Sequence, residues 1–389
     1  MHKVRTYNAI SVKGLDRLPR ETYEVASEIT HPEALMLRSH KLAVDEITNT
    51  VLAVGRAGAG VNNIPVSACT ERGIPVFNAP GANANAVKEL VLCAMLLGSR
   101  GIISGLDYAG QLDGSMDAVS MNKLLEKEKK HFKGRELAGK TLGVVGLGAI
   151  GSLVAQTGLL MGMNVVGYDP ALSVDAAWRL PSEVEKMDHL TALFSRSDYV
   201  SLHLPVLDST RNLINSLSVQ SFKKGAVLLN FARAEIVDAS AAIEGLQSGC
   251  LRQYICDFPH PDLVGVEGVL AMPHIGASSE EAEENCAIMI ADQLKDFLEN
   301  GNIRNSVNFP ALSLERVGGA RIVIANQNIP KMLGCITSIL ADADINVLDM
   351  LNKSRDDIAY NLIDVEVAPT AEVVAQLGEI EGVIKVRVI

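Results

Sequence analysis

The sequence lacks several features that would each point to a particular class of protein. Its six cysteines form no CxxC pair and no spacing typical of a metal site. No apolar run is long enough for a membrane-spanning helix, and the N-terminus lacks the apolar stretch of a secretory signal. Positive charge is not in excess, because 46 acidic residues against 35 basic ones give a net charge of -11. We therefore expect no metal, membrane or nucleic-acid partner, and a reducing cytoplasmic location.

The order of apolar runs predicts the fold class. A chain of 389 residues, 48% of them hydrophobic, is long enough for two or three domains with large cores. Over most of its length short apolar runs alternate with helix-like segments, which is typical of α/β proteins. From Ala320 onward the order becomes strand, helix, strand, strand, helix, strand. We expect two Rossmann-like, doubly wound parallel-sheet domains and a C-terminal ferredoxin-like domain with one sheet face free, which serves ligand sensing or association.

The stretch 140–170 predicts a dinucleotide site. A short apolar run leads into Gly146, Gly148 and Gly151, then a helix-like segment, then a second apolar run that ends at Asp169. In a βαβ unit these glycines allow a tight turn, a close approach of the backbone to a pyrophosphate, and close packing of helix on strand. The acid at Asp169 would accept hydrogen bonds from ribose hydroxyls and repel a 2′-phosphate. This pattern favours NAD over NADP.

Polar residues directly after other predicted strands are candidates for substrate chemistry. Arg38 and Arg56 each follow an apolar run, and glycine-rich loops lie nearby. Arg233 and His274 follow later runs in the same way. Ligands of open α/β sheets bind beyond the carboxyl ends of the strands, so these positions favour a functional role over an ordinary surface one. A basic cluster at 127–135 is either a solvated helix face or a group that reaches over a phosphorylated substrate.

Several motifs together resemble the D-isomer-specific 2-hydroxyacid dehydrogenase family. They are GRAGAGVNN, GIPVFNAPGANANAVKELV, GKTLGVVGLGAIG, LLNFARAEIVD and MPHIGASSEEAEENCA, and the tail is similar to an ACT domain. The resemblance implies a substrate domain over 1–98 and 282–312, an inserted NAD-binding Rossmann domain over 99–281, and an ACT-like regulatory domain over 318–389. It also implies a homodimer or homotetramer.

The resemblance assigns roles to individual residues. His274 would be the general acid/base and Arg233 would bind the substrate carboxylate. The family's glutamate partner of the histidine is missing from DFPHPDLVGVEGV; direct counting puts Asp262 in its place, and Glu267 is the alternative. The remaining assignments are Gly146, Gly148, Ala149, Ile150, Gly151, Asp169, Phe231, Ala232, Asp257 and Gly276 for the cofactor, Arg38, Ser39, Arg56, Gly58 and Lys133 for the substrate, and Asn328 and Asn346 for a possible effector.

The expected activity is NAD-dependent oxidation of a phosphorylated D-2-hydroxy acid, with 3-phospho-D-glycerate as the substrate that the resemblance implies. One alternative is a dehydrogenase of an unphosphorylated acid such as glyoxylate or lactate. The other is an inactive, NAD-sensing binding protein similar to corepressors of this fold. Arg38, Arg56 and the basic cluster at 127–135 favour a phosphorylated substrate over an unphosphorylated one. The presence of both Arg233 and His274 favours an enzyme over a sensor.

Overall fold

The chain passes from one compact unit into a second and back again. The computed structural model describes residues 1–389 apart from the side chain of Asp175. One unit contains residues 1–83 and 279–389, and the other contains residues 84–278. The first holds a five-stranded and a four-stranded sheet, and the second holds a seven-stranded sheet. The predicted α/β class is confirmed.

The N-terminal part of the first unit is a parallel sheet of order β2-β1-β3-β4-β5. Its elements are β1 (His2–Thr6), α1 (Val12–Leu15), β2 (Tyr23–Ala26), β3 (Ala34–Leu37), β4 (Ala53–Arg56), α2 (Val66–Glu71) and β5 (Val76–Phe77). Every residue of β3 is buried, as expected for a strand covered on both faces of a parallel sheet. The strand order reverses between β1 and β3, and Arg38 follows β3 at that point.

The second unit is a parallel sheet of order β12-β11-β10-β9-β6-β7-β8. Its elements are α3 (Ala84–Ser99), α4 (Ile102–Gly110), α5 (Ala118–Glu128), β6 (Thr141–Val145), α6 (Ala149–Leu160), β7 (Asn164–Tyr168), α7 (Val174–Ala177), β8 (Glu185–Lys186), α8 (Leu190–Arg196), β9 (Tyr199–Leu202), α9 (Ser216–Val219), β10 (Ala226–Asn230), α10 (Ala239–Ser248), β11 (Leu251–Cys256) and β12 (Val269–Ala271). Short 3-10 turns cover Val44–Glu46 in the first unit and Lys129–Phe132, Ala234–Ile236 and Pro261–Leu263 in the second. The order reverses between β6 and β9, which places a ligand crevice beyond their carboxyl ends.

Helix α3 lies in the second unit, although the sequence analysis placed residues up to 98 with the substrate domain. It packs on α6, β10 and β11. Its buried side chains Val91 and Met95 share a core with Leu142 and Val144 of β6. Because its apolar side chains are covered there, the division between the units falls after Asn83.

Within the described residues, no single helix has the length and apolar composition of a membrane span. The pair α3 and α4, which meet at a bend of 71°, reaches that length and composition only when the two are taken together.

The rest of the first unit consists of a long helix and the C-terminal sheet. Its elements are α11 (Glu280–Asn300), β13 (Ala320–Gln327), α12 (Met332–Asp342), β14 (Val347–Arg355), β15 (Ile358–Val365), α13 (Ala371–Glu379) and β16 (Val383–Val388). The sheet is antiparallel with order β14-β15-β13-β16, so the predicted ferredoxin-like arrangement is confirmed.

The expectation that one face of this sheet is free is wrong. Val323, Tyr360 and Leu362 share a core with Phe297 and Phe309 of the same unit. The rings of Phe309 and Tyr360 meet edge to face at 5.9 Å. The other face packs on α12 and α13. All eight residues of β15 are buried, which is the pattern of a strand with both faces covered.

A buried ion pair joins this sheet to the end of α11. Arg321 and Asp364 are both fully buried, and the guanidinium donates to the two carboxylate oxygens at 2.5 and 2.8 Å. Its remaining Nη1 donates to the carbonyl oxygens of Asn300 and Leu314, each at 2.9 Å. Burial by itself would raise the pKa of the Asp364 carboxyl, but the hydrogen bonds from Arg321 outweigh it and hold that pKa below its ordinary value.

Two further donors from the C-terminal sheet reach the same helix end. The Tyr360 hydroxyl donates to the carbonyl of Gly301 at 2.9 Å, and Arg387 donates to the carbonyl of Leu298 at 3.1 Å. The last carbonyls of a helix have no partner within the helix and carry partial negative charge. The C-terminal sheet therefore caps α11.

We expect Arg321→Ala to destabilise the protein by about 3–5 kcal/mol, because it leaves the Asp364 carboxylate buried without its partner. The measurement is the free energy of unfolding from denaturant titration. The matched control is Arg196→Ala, which breaks an exposed two-contact pair with Glu185 and should destabilise the protein far less, because solvent screens that pair. Equal losses in the two variants would contradict the role given to the buried pair.

Candidate active site

The glycine turn after β6 is shaped by two close backbone approaches. Gly146 has φ +89°, and its N–H donates to the carbonyl of Tyr168 at 2.8 Å. A Cβ atom at Gly146 would lie 2.5 Å from the carbonyl oxygen of His203. A Cβ atom at Gly151 would collide with the carbonyl oxygen of Gly146. Only glycine fits both positions.

The start of α6 can hold a pyrophosphate. Gly148 is the N-cap residue, and no side chain caps the helix there. A Cβ atom at Gly148 would have no neighbour within 4 Å, so space is open next to the backbone. Ala149, Ile150 and Gly151 form the first turn, whose N–H groups have no partner within the helix. These donors and the positive end of the helix fit the pyrophosphate of a dinucleotide.

Asp169, which is predicted to bind the ribose, also supports the turn. One carboxylate oxygen accepts a hydrogen bond from the N–H of Leu147 at 2.8 Å, and the other accepts from the N–H of Ala171 at 3.0 Å. An ionised carboxylate has about four lone-pair sites, so two remain for hydroxyl donors. Its charge opposes a 2′-phosphate.

His203 is a neighbour of the glycine turn that the sequence analysis missed. It follows β9, and its N–H donates to the carbonyl of Val145 at 2.8 Å. Its Nε2 lies 2.8 Å from the Ser201 hydroxyl, and its Nδ1 is buried with no partner among the described residues. Burial lowers the pKa of the imidazole to about 3. Its position directly after a strand beside the crevice is a signal that could have identified it.

The loop that carries Arg233 is fixed by a buried amide. Asn230 ends β10 and is fully buried. Its side-chain nitrogen donates to the carbonyl of Arg233 at 2.9 Å and to the Tyr254 hydroxyl at 3.2 Å, and its oxygen accepts from the N–H of Ala232 at 3.2 Å. Phe231 and Ala232 are buried, whereas Arg233 is exposed. The backbone is therefore anchored, and the Arg233 Nη1 donates to the carbonyl of Ala232 at 2.6 Å.

The loop that carries His274 is held by a buried carboxylate. Asp257 is 3% exposed and accepts from the N–H groups of Ile275 at 2.8 Å and Gly276 at 2.7 Å. His274 has φ +57°, a backbone conformation that side-chain-bearing residues rarely adopt. Such strain persists where surrounding contacts impose it, and it is common at functional sites. Asp257 and Gly276, both predicted to contact the cofactor, are thus brought together directly.

Phe258 lies against both predicted catalytic side chains. Its ring centroid is 4.7 Å from that of His274, with 50° between the planes. The Arg233 guanidinium carbon is 5.9 Å from the same centroid. The structure therefore brings Arg233 and His274 to one aromatic side chain, which the sequence analysis did not single out.

The structure does not bring either predicted acid to His274. Asp262 lies in the 3-10 turn Pro261–Leu263 with its side chain 66% exposed, and its nearest basic group is His260 Nδ1 at 3.6 Å. Glu267 is also exposed. Neither makes a hydrogen bond or ion pair with His274 in the part of the chain that the structure describes. The role of Asp262 stays a prediction.

Four of the predicted substrate residues lie together in the first unit. Arg56 donates through Nε to the carbonyl of Arg38 at 3.1 Å, and the N–H of Gly58 donates to the carbonyl of Arg56 at 2.8 Å. Ser39 follows Arg38 in the same loop. The Arg38 guanidinium forms an ion pair with Glu283 at 2.6 Å, with both side chains about 40% exposed. An anion at this place would share Arg38 with that carboxylate.

The other predicted residues are scattered. Lys133 is exposed in the second unit and does not contact another predicted site residue among those described. Asn328 donates to the carbonyl of Asp356 at 3.2 Å, and Asn346 donates to Glu366 at 3.4 Å. Lys331 has φ +74°, a backbone conformation that glycine adopts more readily than lysine. Their binding roles stay predictions.

Comparison with known proteins shows the family of this chain. Residues 106–276 match the family model described as D-isomer specific 2-hydroxyacid dehydrogenase, NAD binding domain. The chain is 33% identical to the D-3-phosphoglycerate dehydrogenase of Haemophilus influenzae, over 92% of this chain and 86% of that protein. The chain therefore belongs to the D-isomer-specific 2-hydroxyacid dehydrogenase family, which consists of NAD-dependent oxidoreductases.

Two further relatives are also named as phosphoglycerate dehydrogenases. A D-3-phosphoglycerate dehydrogenase of Methanocaldococcus jannaschii is 34% identical over 84% of this chain, which spans 61% of that relative's length. The solved structure of NAD+-bound 3-phosphoglycerate dehydrogenase from Entamoeba histolytica superposes with a TM-score of 0.61 at 27% identity, over 80% of this chain and 99% of that one.

We expect Gly151→Ala to weaken NAD binding about tenfold or more, because forcing a methyl group against the Gly146 carbonyl costs about 1–3 kcal/mol or displaces the start of α6. Calorimetric titration with NAD gives the Kd. Gly334→Ala is the control, since a Cβ there has no neighbour within 4 Å. An unchanged Kd for Gly151→Ala would contradict the assignment of the pyrophosphate site to the start of α6.

We expect His203 to make stability depend on pH. The unfolded imidazole binds a proton near pH 6.5, but the folded one resists it until about pH 3, so stability falls as the pH drops through this window. Between about pH 7 and pH 5 this amounts to up to about 2 kcal/mol. The measurement is the difference in melting temperature between pH 7 and pH 5. This difference should be smaller in His203→Asn than in the wild type, and unchanged in His189→Asn, which alters an exposed histidine. Identical slopes for His203→Asn and the wild type would refute the assignment.

Proposed function

We propose that this chain oxidises 3-phospho-D-glycerate to 3-phosphohydroxypyruvate with NAD, the first step of L-serine biosynthesis. The observation that carries the proposal is the placement of Arg233 and His274 against one side chain, beyond the carboxyl ends of β10 and β12 in a sheet whose glycine turn fits NAD. The relatives named D-3-phosphoglycerate dehydrogenase support the choice of substrate.

The chain's own residues supply binding and proton transfer. The guanidinium of Arg233 offers a planar pair of donors that matches a carboxylate, so it binds and orients the acid end of the substrate. His274 accepts the proton of the C2 hydroxyl through a ring nitrogen. NAD, held at the glycine turn and the start of α6, would supply the hydride acceptor. As the hydroxyl proton passes to His274, the hydrogen on C2 leaves with its electron pair and C2 becomes a carbonyl carbon. Asn230 and Asp257 hold the two loops in place.

Arg38 and Arg56 support a phosphorylated substrate. They lie side by side after β3 and β4, with the backbone of the Gly58 loop next to them. Oxyanions favour such arrangements of guanidinium and backbone N–H groups. Lys133 is a third candidate for the phosphate.

The ion pair of Arg38 with Glu283 favours a second candidate function. A carboxylate at 2.6 Å neutralises part of the positive charge that a phosphate would need. On that basis the rival is a dehydrogenase of an unphosphorylated D-2-hydroxy acid with the same mechanism.

The assembly and location are also proposals. Exposed apolar side chains along α4 and α5 support a homodimer or homotetramer, since exposed apolar patches mark association surfaces. They include Ile102, Ile103, Leu106 and Val119. All six cysteines are free thiols, which supports a cytoplasmic location.

A substrate panel followed by NADH absorbance tests the activity. We expect kcat/KM for 3-phospho-D-glycerate to exceed that for D-glycerate and D-lactate on the order of 100-fold, because the phosphate contacts would be lost with those acids. His274→Ala should lose about 10²–10⁴-fold in kcat through loss of the base. His189→Ala, at an exposed histidine of the same unit, should keep activity. Preference for an unphosphorylated acid would favour the rival, and full activity in His274→Ala would refute the mechanism.

A further inference from the structure

Phe258 occupies an unusual position for an apolar side chain. It directly follows Asp257, whose carboxylate is fixed by two backbone N–H groups of the His274 loop. Its ring is only partly buried, with His274 at 4.7 Å and the Arg233 guanidinium at 5.9 Å. Both distances lie within the range of about 6 Å in which a cation is stabilised by an aromatic ring.

The proposed reaction creates a cation at one of these groups. When His274 accepts the C2 hydroxyl proton, it becomes an imidazolium. A carboxylate partner would stabilise that charge, but Asp262 and Glu267 make no contact with the ring. Among the described residues the imidazole has no hydrogen bond or ion pair, and Phe258 is the ring that it meets.

We propose that Phe258 is a positioning residue for the His274 imidazole. Its ring sets the orientation of the His274 imidazole and stabilises the imidazolium that forms during hydroxyl oxidation. This inference rests on the proposed function, because it concerns the proton that the oxidation releases.

Steady-state kinetics of three variants tests the proposal. Phe258→Leu keeps an apolar side chain without a ring and should lower kcat about tenfold, while KM for NAD stays within about twofold. Phe258→Tyr keeps the ring and should restore kcat to within about twofold of the wild type. Phe222→Leu removes a ring stacked at 4.5 Å on Phe194 in the same unit, so it should lower the melting temperature and leave kcat unchanged.

Each outcome decides a different question. Loss of kcat in Phe258→Leu with recovery in Phe258→Tyr supports the inference, because a purely structural role would not depend on an aromatic ring. Wild-type turnover with undiminished kcat in Phe258→Leu would overturn the inference and leave the proposed function standing. A larger loss in Asp262→Asn than in Phe258→Leu would return the role to the carboxylate and also overturn it. Absence of turnover by the wild type with every acid would overturn both.

Discussion

The arrangement of the candidate active site depends on one buried carboxylate. Asp257 is withdrawn from solvent at a cost that its two charge-assisted hydrogen bonds to Ile275 and Gly276 offset. Those bonds hold His274 in a left-handed backbone conformation that costs about 1–3 kcal/mol. Phe258 is the next residue along the chain. The hydrogen bonds of Asp257 therefore also position the backbone that carries the Phe258 ring, which contacts the imidazole.

The neighbouring strand uses the same principle. Asn230 at the end of β10 and Asp257 just beyond β11 are both buried polar residues that bind the backbone of a following loop, and each loop presents an exposed functional group. A parallel sheet brings such strand ends to one edge. The polar residues that hold the loops are therefore buried, whereas Arg233 and His274 on those loops are exposed.

Much of this could be predicted from sequence, because the signals were local. The spacing of Gly146, Gly148 and Gly151 predicted the glycine turn after β6. The apolar runs predicted the strands that precede Arg233 and His274. The prediction that was wrong depended on contacts between segments that are distant in the sequence. The second covered face of the C-terminal sheet arises from packing on Phe297 and Phe309, which no local pattern shows.

The contacts of Phe258 with His274 and Arg233 could not be predicted from the sequence either, because the sequence pattern of a single aromatic residue after a strand does not differ from that of a core residue. The central claim is that one substrate molecule contacts both residues: His274 takes the proton of its C2 hydroxyl, and Arg233 binds its carboxylate. A crystal structure of the complex with NAD and 3-phospho-D-glycerate tests it most directly. The account predicts the C2 hydroxyl about 2.6–3.2 Å from a ring nitrogen of His274, with the carboxylate on Arg233. A C2 hydroxyl bound to another side chain, with His274 out of reach, would contradict it.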